Sequence, residues 1–297
     1  MRDLVFMGFL AALFGVGLRR PFVFVLAYIY IDTVQPQRLM YTALNSLPIS
    51  LIAFVAAVGG WILADDKRGS FGPRQAMLLV FLLYCWMTTI NADFPIDAAA
   101  KWAWVWKSIV FAVFLPLTLK TRLRIESVIL FMCLSASTII IIGGIKTLAS
   151  GGGYGVLNLM VTDNSGIYES SIISTVAIAI IPLILFLMKN GTVFPPEWRV
   201  TLFCLALCFA CLLIPVGTEA RTGLICIAVL AVLMLRQVKW PILWIAAAGF
   251  IGIASIPFLP ESFTKRMDTI KEYKADNSAS TRVAVWMWTI EYTRLHP

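Results

Sequence analysis

Charge is scarce in this sequence. Asp, Glu, Lys and Arg together make up 13% of the 297 residues, about half the share found in soluble domains. Hydrophobic residues reach 60% and the mean hydropathy is +0.87, which excludes an ordinary soluble domain. Histidine is almost missing. The single one, His296, stands directly before a proline, and no Ser-His-Asp triad can be built from it. There is no Walker loop, no glycine pattern of a dinucleotide-binding turn and no His-Glu-x-x-His. The six cysteines, Cys85, Cys133, Cys204, Cys208, Cys211 and Cys226, all lie inside apolar runs. Cys204, Cys208 and Cys211 share a helix face by spacing. No His or carboxylate stands near them at metal-ligand spacing, so they read as small packing groups. They indicate no disulfide framework.

What is present is a series of long apolar runs. Ten can be counted, at 4–18, 21–34, 47–64, 75–91, 102–119, 125–148, 168–188, 199–216, 222–236 and 240–256. They lack the alternation of a porin strand. The expected fold is therefore all-α, a polytopic bundle of about ten transmembrane spans. The first two runs are short and read as a tilted or partly re-entrant pair, broken by Arg19-Arg20-Pro21. The N-terminus offers no cleavage site of a signal peptide. Loops alternate in charge. Those holding Arg19/Arg20, Lys67/Arg68/Arg74, Lys120/Arg122/Arg124, Lys189/Arg199 and Arg236/Lys239 are basic, and the intervening ones are poor in Lys and Arg. The positive-inside rule places the basic set in the cytoplasm. Residues 217–223 and everything after 256 then face the other side, which is the periplasm in a Gram-negative cell. The net charge of +8 fits cytoplasmic loops, anionic lipid or an anionic substrate such as a lipid diphosphate, rather than nucleic acid.

Polar content collects on the expected outer side. Gly217-Thr218-Glu219-Ala220-Arg221-Thr222-Gly223 reads as a tight turn between two apolar runs. Ionisable side chains at a membrane face are costly and commonly functional. A second polar loop runs from Ser150 through a glycine-rich stretch to Asp163-Asn164-Ser165-Gly166. The third is the tail after 256. There Phe263, Met267, Ile270 and Tyr273 recur at helical spacing among Lys265, Arg266, Lys271 and Lys274, as on an amphipathic helix. Asp276-Asn277-Ser278-Ala279-Ser280 reads as a break. A second amphipathic stretch follows, with Val283, Trp286, Met287 and Ile290 on one face and Arg282 one turn before Trp286. The division expected is a transmembrane bundle over 1–256 and the start of an extracytoplasmic loop domain over 257–297. The chain is expected to be part of a longer one.

Arg221 and Arg282 are the candidates for anion binding. A guanidinium forks onto phosphate and stays protonated. The alternatives are an interfacial cation for Arg221 and a solvated or lipid-facing charge for Arg282. Lys265 and Arg266 are weaker candidates for the same work. Glu219 reads as a turn salt bridge, or as a base. Asp163 and Asn164 either contact sugar hydroxyls or cap the helix that follows. Trp102, Trp104 and Trp106, beside Lys101 and Lys107, read as an aromatic belt at a membrane interface rather than a sugar platform.

These stretches resemble the O-antigen ligase and polymerase superfamily. More narrowly, Thr162-Asp163-Asn164-Ser165, residues 217–224, and Lys265-Arg266-Met267 running on through Arg282 to Trp286 are similar to the O-glycosylation ligase associated with the exosortase A system. Arg19-Arg20-Pro21 and Gln35-Pro36-Gln37-Arg38-Leu39 look like that subgroup too. There are departures. Ala220-Arg221-Thr222 stands where the family has Ser-Arg-Gly, and Asp163-Asn164-Ser165 where it has Asp-Asn-Asn. The family's catalytic histidine corresponds to a position beyond Pro297, so His296 does not match it and the general base is expected outside these residues.

The resemblance implies transfer of a glycan from undecaprenyl diphosphate to an acceptor hydroxyl on a protein or polysaccharide, at the periplasmic face of the inner membrane. It implies neither a metal nor a cofactor. Arg221 and Arg282 are then the expected diphosphate ligands, with Asp163 and Asn164 lining the site and Glu219 and Arg266 as lesser members. The rivals are a polysaccharide polymerase of the same superfamily, a transporter or flippase, and a non-catalytic membrane subunit. A transporter predicts ionisable groups at mid-membrane and internal repeats. The apolar runs are nearly free of charge and show no clear repeat.

Overall fold

The computed structural model describes residues 2–39, 47–67, 69, 71–157, 166–236 and 277–295. Among these the regular structure is helical, with no strand. The helices are α1 (Arg2–Arg19), α2 (Phe22–Val34), α3 (Pro36–Leu39), α4 (Ile49–Ala64), α5 (Pro73–Ile90), α6 (Pro95–Thr118), α7 (Arg122–Ser150), α8 (Ser170–Asn190), α9 (Trp198–Gly217), α10 (Arg221–Leu235) and α11 (Asn277–Leu295), with a 3-10 turn at Gly166–Tyr168. Nine of the ten apolar runs thus fall on helices; the tenth, 240–256, lies outside the described residues. Five helices, α5 to α9, are long and apolar enough to cross a membrane, and α2, α4 and α10 are shorter apolar helices. This is the make-up of a multi-pass membrane protein. Prolines set several starts. Pro73 and Pro95 open α5 and α6, where a missing N–H costs nothing and φ is already helical. Pro95 carries α6 seven residues upstream of the apolar run at 102.

The chain divides into two units, Met1–Thr138 with Leu183–Cys204, and Ile139–Pro182 with Leu205–Pro297. In the first, α2 is buried along almost its whole length, from Phe24 to Ile31. A helix apolar on every side needs neighbours on every side. Tyr28 of α2 packs on Phe111 of α6 with ring centroids 4.1 Å apart, and edge-on against Phe54 of α4 at 5.8 Å. Trp61 meets Phe114 edge-on at 5.7 Å. Gly17 brings α1 onto the Phe24 ring, where a Cβ would stand 2.5 Å from it.

The same unit brings three of the basic loops together. Arg124 Nη1 donates to Asp65 Oδ2 at 2.8 Å and Nη2 to Oδ1 at 2.9 Å. Arg124 also donates to the Thr118 carbonyl at 2.9 Å and lies 4.9 Å from the Phe22 ring centre. Glu126 accepts from the backbone N–H groups of Thr192 at 2.5 Å and Val193 at 2.9 Å, and from the Thr192 hydroxyl at 2.6 Å. Arg122 reaches the Asn190 carbonyl at 3.3 Å.

Those contacts also fix the direction of α2 against α6. The N-terminal Phe22 lies by Arg124, which holds the C-terminal Thr118 of α6, so the two helices are antiparallel. Asp32 is one turn beyond Tyr28, and Lys107 one turn before Phe111. They therefore fall at the same level. At 1.5 Å per residue, Asp32 is ~15 Å from Phe22 and Lys107 ~17 Å from Thr118. That is about half the thickness of a bilayer core. Asp32 stands two residues before the C-terminal end of α2, and Lys107 lies within α6.

In the second unit, glycine lets α7 and α9 approach closely. A Cβ on Gly143 would meet Ile214 Cδ1 at 2.7 Å, and one on Gly144 would meet Ala210 Cβ at 3.1 Å. Small residues at such crossings raise contact area where water gives no drive to associate. Cys204 and Cys211 are buried, and no disulfide joins any of the six cysteines.

Candidate functional site

The polar turn lies in the second unit, and it is tighter than the sequence reading made it. Helix α9 continues to Gly217 and α10 begins at Arg221. Only Thr218, Glu219 and Ala220 lie between them. Arg221, Thr222 and Gly223, expected in a loop, are the first helical turn of α10. Two features allow this. Glu219 takes a left-handed backbone with φ of 53°, which reverses the chain. Gly223 then lets α10 press on α9: a Cβ there would meet Pro215 Cγ at 2.7 Å and Ser174 Cβ at 3.0 Å.

The turn is clamped by hydroxyls. Thr218 Oγ1 donates to the Ile214 carbonyl at 2.8 Å and lies 2.8 Å from Ser174 Oγ, both groups being buried. Ser174 in turn donates to the Ser170 carbonyl at 2.7 Å, and Ser170 to the Gly155 carbonyl at 2.6 Å. The start of α8 thereby holds both the turn and the loop 151–157.

That loop reverses through left-handed glycines at 151–153 and 155, and the reversal brings Tyr154 back to the end of α9. The Tyr154 backbone N–H donates to the Gly217 carbonyl at 3.0 Å. Its hydroxyl lies 3.0 Å from Thr147 Oγ1 and donates to the Gly143 carbonyl at 3.3 Å. Burial pushes the Tyr154 phenol above its ordinary value, against the Thr147 hydrogen bond; the group stays a neutral donor. Gly217 has no room for a side chain, since a Cβ would fall 2.5 Å from Tyr154 Oη and closer still to Thr147 Oγ1. Lys146 completes the cluster. Its Nζ donates to the Leu157 carbonyl at 2.7 Å and sits 4.2 Å from the centre of the Tyr154 ring.

The arrangement suits an anion. The first backbone N–H groups of α10 carry the positive end of its dipole. Arg221, half-buried, stands at its first position. Thr222 Oγ1 is buried and makes no hydrogen bond. Glu219, a lesser member of the expected site, is buried in the turn two residues before Arg221.

The remaining sequence candidates are placed unevenly. Arg282 is on α11, which begins at Asn277, so the expected break at 276–280 is helical from 277 onward. Positions 280–290 are all exposed, Trp286 at 65% among them; the face expected for Val283, Trp286, Met287 and Ile290 is not buried. Asp163, Asn164, Lys265, Arg266 and His296 lie outside the described residues, as do the amphipathic helix expected over 263–273 and the boundary expected at 256. Lys146, Thr147, Tyr154 and Ser174 were not foreseen. The one available signal was a lone lysine near the end of the apolar run 125–148.

No curated protein and no solved structure matches the chain. Residues 206–297 match the model of the O-antigen ligase family, and the match takes in both the α9–α10 turn and α11. Residues 1–192, the larger part, match the model of a family of unknown function, DUF5935, and the chain belongs to that family.

Proposed function

We propose that this protein is a glycan ligase of the bacterial inner membrane. It transfers an oligosaccharide or polysaccharide from undecaprenyl diphosphate to a hydroxyl of a protein or polysaccharide acceptor at the periplasmic face. The observation that carries the reading is the O-antigen ligase match over 206–297. It spans Arg221, at the positive end of α10, and Arg282. The alternation of basic and non-basic loops supports the orientation.

In this reading Arg221 and Arg282 hold the diphosphate. As the bond between sugar and diphosphate breaks, its electron pair goes to the diphosphate oxygen. Fixed guanidiniums stabilise that growing charge without reorganising. The α10 N-terminus adds its dipole on the same side. Asp163 and Asn164 line the sugar site, with Arg266 a lesser member, and Glu219 positions Arg221. Arg221→Ala is expected to lower transfer from a lipid-diphosphate glycan by at least ~100-fold in reconstituted membranes, with protein amount and thermal midpoint retained. Unchanged transfer would remove Arg221 from the reaction. A polymerase differs only in its acceptor, and the length distribution of the product separates the two.

A further inference from the structure

We infer that Lys146 is a further ligand of the lipid diphosphate, beside Arg221. The inference rests on the reading of the α9–α10 turn as the diphosphate site.

The argument starts from where a lysine in the last turn of a spanning helix ordinarily goes. Its flexible stem runs toward the nearer interface and leaves the ammonium in water. Ser150, four residues on, is exposed, so that route is short. Lys146 does not take it. It is half-buried, and its ammonium is held by the Leu157 carbonyl at 2.7 Å and by the face of the Tyr154 ring at 4.2 Å.

Tyr154 ties this cation to the turn. The same residue whose ring carries the ammonium donates its backbone N–H to the Gly217 carbonyl at 3.0 Å, and its hydroxyl lies against the position of the missing Gly217 side chain. Arg221 follows Gly217 by four residues, a span of at most ~14 Å even fully extended. The chain is folded back here, with the Ala220 N–H bonded to the Pro215 carbonyl at 3.2 Å. Two cations of one unit are thus tied to the end of α9, Lys146 through Tyr154 and Arg221 through the chain itself.

The ammonium has three N–H donors. Leu157 takes one. Among the described residues no carboxylate pairs with Lys146. A cation set against a ring, with no carboxylate beside it among the described residues, is placed to meet an anion. Arg gives a diphosphate a rigid fork, whereas Lys gives a point charge that follows the phosphate as its charge grows.

The test uses the full chain in lipid nanodiscs, with farnesyl diphosphate as probe. Farnesyl monophosphate and inorganic pyrophosphate serve as comparators. Lys146→Gln is expected to weaken farnesyl diphosphate about tenfold or more, and Lys146→Arg to stay within about threefold of the unsubstituted protein. Farnesyl diphosphate is also expected to shield Lys146 of the unsubstituted protein from an amine-acylating reagent, read by mass spectrometry. That arm decides the matter if Lys146→Gln fails to fold. Unchanged binding by Lys146→Gln, with Arg221→Ala weakened, overturns the assignment of Lys146 alone; so does acylation at full rate with probe bound. Unchanged binding by both variants overturns the reading of the turn itself. Pyrophosphate bound as tightly as farnesyl diphosphate assigns the site to free diphosphate rather than its lipid ester, and overturns the lipid part.

Discussion

The backbone N–H of Tyr154 donates to the carbonyl of Gly217 at 3.0 Å, while the Tyr154 hydroxyl fills the space that a side chain at 217 would need. One residue thus holds the end of α9 from two directions. Gly217→Ala is expected to force Tyr154 and Thr147 apart, at an overpacking cost of about 1–3 kcal/mol. Thermal unfolding in detergent measures it. Adding Tyr154→Phe should recover part of the loss, because the Oη contact at 2.5 Å disappears. A second substitution that deepens the loss would contradict the packing described.

Glu219 occupies a left-handed backbone that side chains disfavour. Glu219→Gly and Glu219→Ala both delete the buried carboxyl, but only glycine relieves the backbone. Glycine should therefore be the more stable of the two by about 1 kcal/mol. Paired thermal midpoints give the difference. Equal midpoints would mean the turn adopts another conformation.

The shared level of Asp32 and Lys107 in the first unit predicts coupling. Asp32→Asn or Lys107→Met alone leaves the other charge without an opposite charge at its level. The double substitution removes both. The double-mutant cycle should show a coupling of ~1–3 kcal/mol, measured by unfolding in mixed micelles. Additive losses would show that the two groups act independently.

Acid should loosen the basic-loop end. The Arg124 guanidinium, bonded to both Asp65 oxygens, holds the Asp65 carboxyl below its ordinary value, with the Asp66 N–H and Lys120 adding to it. A depressed carboxyl contributes stability above its unfolded value, near pH 4, and loses it as pH falls through the lower folded value. The thermal midpoint should therefore drop with acid below about pH 4, and Asp65→Asn should flatten that drop. Asp65→Asn should also lower the midpoint at pH 7, where the charged pair is intact.

Much of the helical plan was legible because hydropathy is a local property. A run of apolar residues bounded by Arg19-Arg20-Pro21, or by Pro73, declares its own ends. The site was legible only in part. Arg221 could be found by its place between apolar runs, but not its helical state, which depends on Gly223 meeting Pro215 and Ser174. Tyr154 and Gly217 are far apart in sequence, and no periodicity connects them. Lys146 reads in isolation as a cation reaching for water. In each case the missing information is a long-range contact, and a single sequence records none.

Helix α7 has one further consequence. Its 29 residues measure ~43 Å from end to end. A bilayer measures about 40–45 Å with its headgroups included, and its hydrocarbon core ~30 Å. An upright α7 would thus match the whole membrane, with Arg122 at the headgroups of one leaflet and Ser150 at those of the other. Lys146 is ~6 Å short of the Ser150 mark, at the depth where acyl chains give way to phosphate. Under the proposed function, a polyprenyl carrier with its tail in the hydrocarbon would present its diphosphate at that level and meet the lysine without being lifted out of the leaflet.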